Sequence, residues 1–368
     1  MRRLLAVLAL CTLLATAGCT DAGIGLEPTD STEGTETPLQ TPDSTSSPDG
    51  DGDDGTGAEG ELSVHYINVG QADATLLISP EGETMLIDSG DWRNDGETVI
   101  DYLEARGVDR IDHLVSTHAH ADHIGGHAAV IDHFETEKDG VGAVYDSGVV
   151  HTSQTYENYL DAVERHDVTL YEVADGDEIP FPGTATTVRN PVEPGGDDLH
   201  ANGVVLDVRF GETTFLFTGD AEGPVEDRLV DDYGDDLDAD VYQAGHHGSE
   251  TSSSASFLGA VDPEVAVVSS GYDSQYGHPH DEPLQRFAER DTRTTWTATH
   301  GTTVVVSDGS ALSVRTQHDV TTDPLELRDA GEATADPSDA TEERFTVGGT
   351  NDRLAPPAPA GAVAAAGG

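Results

Sequence analysis

Four side chains able to hold a metal ion fall between Thr117 and Gly126: His118, His120, Asp122 and His123. In an extended loop, residues i and i+2 point the same way, so His118 and His120 can grip one ion together. Asp122 and His123 follow where a helix is expected to start, and can face a second ion. Imidazole with carboxylate suits zinc, manganese or iron rather than calcium.

Three later clusters could complete such a site. Thr218-Gly219-Asp220 ends an apolar run, where glycine lets the backbone approach closely and Asp220 can reach past the strand to bridge two ions. The competing reading of Asp220 is a helix cap. Gly245-His246-His247-Gly248 also follows a strand. Both histidines are not expected to face inward: His246 reads as the ligand and His247 as its neighbour near substrate, with the reverse assignment open. His278 and His280 sit in a loop, where they could give a proton to a leaving group or bond a phosphate. Solvated loop histidines are the bland alternative. His200 is ambiguous, and His65, His113, His127, His133, His151, His166 and His300 read as structural or surface residues.

The elements that must position these groups follow from periodicity. Residues 62–69, 74–78 and 84–88 read as strands, and 97–106 as a helix with Val99, Ile100 and Leu103 on one face. A strand leads into His118 and a helix runs from Asp122 to Phe134. Further strands are expected at 141–145, 168–173, 204–210, 213–218, 240–243, 265–269, 302–306 and 312–316. Helices are expected at 154–166, 224–233, 254–261 and 282–290. The hairpin turns about Gly211-Glu212. This alternation in two halves predicts an α/β fold with two sheets packed face to face and helices outside.

The chain of 368 residues carries a formal net charge of −54 and a single lysine, Lys138. The carboxylates are spread through segments that otherwise look folded, which reads as a surface adapted to very high salt. Such a charge argues against long-range attraction to nucleic acid, though in molar salt only direct contacts count. Aromatic residues make up 5%, which does not suggest a base-stacking platform.

Residues 1–18 are expected to be an export signal: Arg2 and Arg3, then an apolar stretch too short to span a bilayer. Thr16-Ala17-Gly18-Cys19 resembles a lipoprotein box with Cys19 as the lipidated residue, which predicts anchoring to the outer face of the cytoplasmic membrane. Residues 19–60 hold almost nothing apolar and read as a disordered acidic linker. Residues 61–317 form the expected folded domain, and 318–368 a disordered tail.

Taken in order, His118-x-His120-x-Asp122-His123, Thr218-Gly219-Asp220 and His246-His247-Gly248-Ser249 resemble the metallo-β-lactamase superfamily. Asn68 to Asp73, Ile87 to Gly90 and Tyr276 to Pro279 add a resemblance to the soluble hydrolase domain of the competence protein ComEC. The resemblance implies an αββα sandwich holding two divalent metal ions, zinc or manganese. His118 and His120 would bind one; Asp122, His123 and His246 the other; Asp220 would bridge, and Asp88 would steady the first loop. A third ligand for the first ion is open among His151, His200 and Asn202. Asp122, His247 and His278 are the candidates for direct roles in catalysis.

Two such ions lower the pKa of a shared water and supply hydroxide near neutral pH. The expected function is therefore a metal-dependent hydrolase acting outside the cell on phosphodiester bonds of nucleic acid or small molecules. A lactone, thioester or β-lactam-like ring is the second substrate class. A non-catalytic metal- or ligand-binding surface lipoprotein is the third reading.

Overall fold

The computed structural model describes residues 59–192 and 195–348, together with the backbone of Arg2–Arg3. The expected export signal, Cys19 and the acidic linker thus lie almost wholly outside the described residues.

One sheet gathers ten strands in the order β1-β7-β6-β5-β4-β3-β2-β14-β15-β16. In chain order its first members are β1 (Arg2–Arg3), β2 (Leu62–Tyr66), β3 (Thr75–Ile78), β4 (Thr84–Ile87), β5 (Ile111–Val115), β6 (Val141–Asp146) and β7 (Thr169–Glu172). The second sheet runs β13-β12-β11-β10-β9-β8. Its members are β8 (Ala185–Asn190), β9 (Val205–Phe210), β10 (Thr213–Phe217), β11 (Val241–Gln243), β12 (Val265–Val268) and β13 (Arg293–Trp296). The chain then returns to the first sheet as β14 (Thr303–Ser307), β15 (Ala311–Thr316) and β16 (Glu342–Gly348).

Strands such as β10 and β12 are apolar on both faces because both faces are covered. In β10, Phe215 and Phe217 point between the sheets while Leu216 points to the helices. In β12, Val265 and Val267 face the other sheet, and Ala266 and Val268 face outward. This period-two alternation builds three cores. Helices α1 (Glu97–Ala105), α2 (His127–Glu137) and α3 (Gln154–His166) cover the first sheet. Helices α4 (Gly223–Tyr233), α5 (Ala255–Val261) and α6 (Asp281–Ala288) cover the second, and a single turn, α7 (Thr297–His300), follows β13. The layers are those of an αββα sandwich.

Each of α1 to α6 joins two parallel strands: β4 to β5, β5 to β6 and β6 to β7 in one sheet, β10 to β11, β11 to β12 and β12 to β13 in the other. All these strands therefore end in loops on one side, where parallel sheets carry their ligands. The β9–β10 hairpin turns at Gly211–Glu212 as expected, with Phe210 opposite Thr213.

The structure corrects three expectations. Helix α2 begins at His127 rather than Asp122. The backbone of 121–125 is instead bonded to the loop after β4: Ser89 N–H donates to His123 O, Gly125 N–H to Gly90 O and Trp92 N–H to Ala121 O. Gly125 permits that contact, since a Cβ there would sit 2.1 Å from the Trp92 nitrogen. Strands β8 and β13 were not foreseen, because both are largely threonine, arginine and other polar residues. Residues 318–348 are not a disordered tail: β16 pairs along β15, and Leu327 is fully buried. Phe345 and Val347 alternate with charged and polar neighbours and pack onto the inter-sheet core, a short period that the surrounding acidity obscures.

Candidate metal centre

The expected residues converge at the carboxyl ends of β4, β5, β10 and β11. Asp88 follows β4 with φ +58°, a left-handed conformation that a non-glycine residue adopts only when its surroundings enforce it. Its carboxylate accepts from the Thr117 backbone N–H at 2.8 Å, the Thr117 hydroxyl at 2.6 Å and His123 Nδ1 at 2.7 Å. One carboxylate thus fixes the loop after β5 and turns His123 Nε2 toward Asp220.

Asp220 lies at the centre. Gly219 has φ +48°, and a Cβ there would come within 2.9 Å of the Thr117 side chain, so only glycine lets the strand end this close to the histidine loop. Asp220 Oδ2 is 3.6 Å from His118 Nε2 and 3.8 Å from His200 Nε2. Its Oδ1 is 3.2 Å from His123 Nε2 and 3.8 Å from His247 Nε2. Each carboxylate oxygen faces a different set of imidazoles.

The first set is His118, His120 and His200 with Asp220. His120 Nδ1 sits 2.9 Å from His118 Nε2 and 3.2 Å from His200 Nε2. His200 therefore occupies the third position that the sequence left open. Asn202 instead bonds Gly195 and the Asp198 carbonyl within its own loop, and His151 stays outside the set.

The second set brings together Asp73, His123, Asp220 and His247, and Asp122 stands beside His247. Asp73 approaches the Nδ1 atoms of His247 and His123, at 3.6 and 3.9 Å. Asp122 Oδ2 lies 3.4 Å from His247 Nε2, the side that Asp220 occupies. His247 Nδ1 donates to the Ser269 carbonyl at 3.0 Å. Asp122 therefore stands on the ligand side and Asp73 behind, orienting the rings.

This corrects the expected roles of the adjacent histidines. His247, not His246, completes the set with Asp122 and His123. His246 turns Nε2 to the other oxygen of Asp220, at 3.6 Å, and Nδ1 to Glu222 at 3.3 Å. Both rings reach Asp220 because both residues have positive φ, 50° and 57°, between two glycines. The loop is held by His246 N–H donating to Gly219 O and Gly245 N–H donating to the Tyr242 hydroxyl.

The electrostatics suit a site for cations. Burial opposes the charge on Asp220, yet His123, His247 and His118 outweigh it and hold the carboxyl well below its usual range. Burial likewise disfavours protonated His247, but Asp73 and Asp220 overcome it and raise its pKa well above the ordinary value. His118 is pushed well down by burial and by His123, and His120 to about 4 by burial and His200. Buried Asp220 Oδ1, His123 Nε2 and His247 Nε2 all lack a hydrogen-bond partner. Divalent ions would satisfy these converging lone pairs, so the donor set fits them.

The centre opens into a cleft of about 530 Å³. On its wall, Gly271 N–H donates to Gln71 Oε1, which fixes the amide, and Gln71 Nε2 donates to His278 Nδ1 at 3.2 Å. His278 must then carry its ring proton on Nε2. Burial, then His247 and His246, lower its pKa to about 4, so it is a neutral donor rather than a reservoir of acid. His280 is a staple: it accepts from Glu250 N–H and donates to the Tyr276 carbonyl.

His200, Asp73 and Glu222 are the residues that sequence reasoning left unassigned. His200 and Glu222 stand in no recognisable spacing, whereas Asp73 ends the Asn68–Asp73 turn already tied to the resemblance.

Comparison with known proteins places these observations. The family model described as the metallo-beta-lactamase superfamily matches residues 67–272. ComE operon protein 3 of Bacillus subtilis is 30% identical over 261 residues, 67% of this chain and 33% of that protein. Competence protein ComA of Neisseria gonorrhoeae is 34% identical over 222 residues, 60% of this chain and 29% of that protein. The chain thus spans about a third of the length of these relatives. The metallo-beta-lactamase fold protein YhfI from Bacillus subtilis superposes with a TM-score of 0.42 at 12% identity, over 64% of this chain and 96% of that one.

Proposed function

This chain belongs to the metallo-beta-lactamase superfamily of hydrolases, and from that premise we propose that it cleaves phosphodiester bonds. His118, His120 and His200 would hold one divalent ion, Asp122, His123 and His247 the other, and Asp220 would serve both. Ions bound there supply an activated water and stabilise charge on phosphoryl oxygens.

The observation that carries the substrate class is the fixed donor beside this centre. His278 lines the cleft and carries its proton on Nε2, a tautomer set by Gln71 and Gly271. A hydrogen bond from that atom can meet the oxygen of a departing ester. No lysine or arginine lines this cleft among the described residues. A group carrying its own carboxylate, such as an opened β-lactam, would meet no cation there. A diester, with one charge shared between two oxygens, asks for no such cation once the ions are bound. The relatives' names, which include competence and recombination proteins, point the same way.

The test is turnover in molar sodium chloride with zinc or manganese. Bis(p-nitrophenyl) phosphate should be hydrolysed, Asp220→Asn should abolish it, and nitrocefin and a simple lactone should be untouched. Turnover of nitrocefin or the lactone without any of the diester would overturn the proposal.

A further inference from the structure

Beside the metal cleft lies a second groove of about 480 Å³, within the usual size of a small-molecule site. The two share Gln71, Ala121, Asp122 and Tyr276, so a ligand at the centre extends into the groove without leaving the protein. Five large apolar side chains are exposed among the described residues. The two aromatic ones, Trp92 at 54% and Tyr276 at 57%, both line this groove. In a chain with only 5% aromatic residues, that placement asks for a reason.

Each ring has a planar group beside it. Trp92 opens a short 3₁₀ turn capped by Asp91, which accepts from the Arg93 N–H. The Arg93 guanidinium lies 5.2 Å over the indole and is paired with Asp91 at 2.6 Å. The Tyr276 ring is 5.7 Å from that of His278, the donor at the metal centre. A line of flat side chains therefore runs from the centre to the groove.

Arg93 is the one cation lining the groove, and Asp91 already offsets it. Around it stand Asp273, Gln275 and Glu332, groups that accept from amines and amides rather than attract phosphates. A surface of net charge −54 cannot hold a polyanion by its field. Stacking on an aromatic face needs no positive charge from the protein, because every base has a π-face.

We infer that this groove is the subsite for a nucleobase adjoining the ester at the metal centre. The inference rests on the phosphodiester reading for the identity of that ester, and names its substrates as nucleotides or nucleic acid.

Fluorescence tests it without turnover. The chain has two tryptophans, and Trp296 is only 2% exposed, so quenching by a small ligand reports Trp92. Zinc-loaded protein in molar salt is titrated with adenosine 5′-monophosphate and with ribose 5-phosphate. The nucleotide should quench and the sugar phosphate should not. Tyr276→Ala should weaken nucleotide binding about 5- to 140-fold, the range that one stacked base gives, while Tyr276→Phe stays near wild type. A short oligonucleotide binding more tightly than the mononucleotide would assign nucleic acid; equal affinity would assign a free nucleotide ester. Equal responses to nucleotide and sugar phosphate, or none to either, would overturn the subsite. Quenching without any diester turnover would keep it and remove only the proposed reaction.

Discussion

Asp88 Oδ2 lies 2.7 Å from His123 Nδ1, and the opposite nitrogen of that ring is 3.2 Å from Asp220. A carboxylate outside the ligand set thus decides which way a ligand points. Replacing Asp88 by Asn keeps the size but offers an amide where two donors now meet a charge. Metal affinity should fall about 10- to 100-fold, as measured by competition with a chelator. Asp88→Ala should in addition leave the buried Thr117 N–H without a partner, at a cost of about 1–3 kcal/mol in unfolding free energy. An Asp88→Asn protein with unaltered metal affinity would show that His123 is aimed by something else.

The neighbouring histidines should separate cleanly. His247→Ala removes a buried ring that Ser269, Asp73 and Asp122 surround, so bound metal should drop from two equivalents toward one. His246→Ala removes a half-buried ring shared between Asp220 and Glu222, and should leave two equivalents in place. Elemental analysis after dialysis decides between them; loss of one equivalent in the His246 variant alone would reverse the assignment.

Acid should destabilise the fold in part through His65. Burial, then Arg106, push its pKa down to about 3 from an ordinary 6.5. Above pH 6.5 the group is neutral in both states, and its contribution is fully present. As pH falls from 6.5 toward 3, the unfolded chain binds a proton that the folded chain refuses. Stability should drop by about 1.4 kcal/mol per pH unit from this group alone. His65→Gln should reduce the slope by that amount in urea titrations at pH 4 to 6, and an unchanged slope would count against the assignment.

Salt should act in the opposite sense to its usual effect on surface ion pairs. With 71 acidic and 17 basic residues, self-repulsion dominates. Raising sodium chloride from 0.1 M to 2 M shrinks the screening length from about 10 Å to under about 3 Å. The melting temperature should rise across that range, and a flat dependence would show that the carboxylates are already neutralised locally.

How much could be read beforehand follows from range. The His118–His123 loop, Asp220 and the paired histidines were visible because each is a short motif at the end of an apolar strand. The layers were visible because strands and helices alternate along the chain in two halves. β8, β13 and β16 escaped, since polar strands carry only a faint alternation.

By itself, the sequence determined which chemical groups this protein brings: imidazoles and carboxylates in three short motifs, on a strand-and-helix pattern with one site edge. Only the tertiary structure decided their partners. His200 joins His118, Asp122 pairs with His247, and Trp92 and Tyr276 line one groove, all between residues far apart in the chain. The physical reason is that a ligand set is defined by a few ångströms between side chains. Those distances are set by sheet register, by left-handed turns at Asp88, His246 and His247, and by the close approach that Gly219 permits. None of these leaves a periodic trace in the sequence.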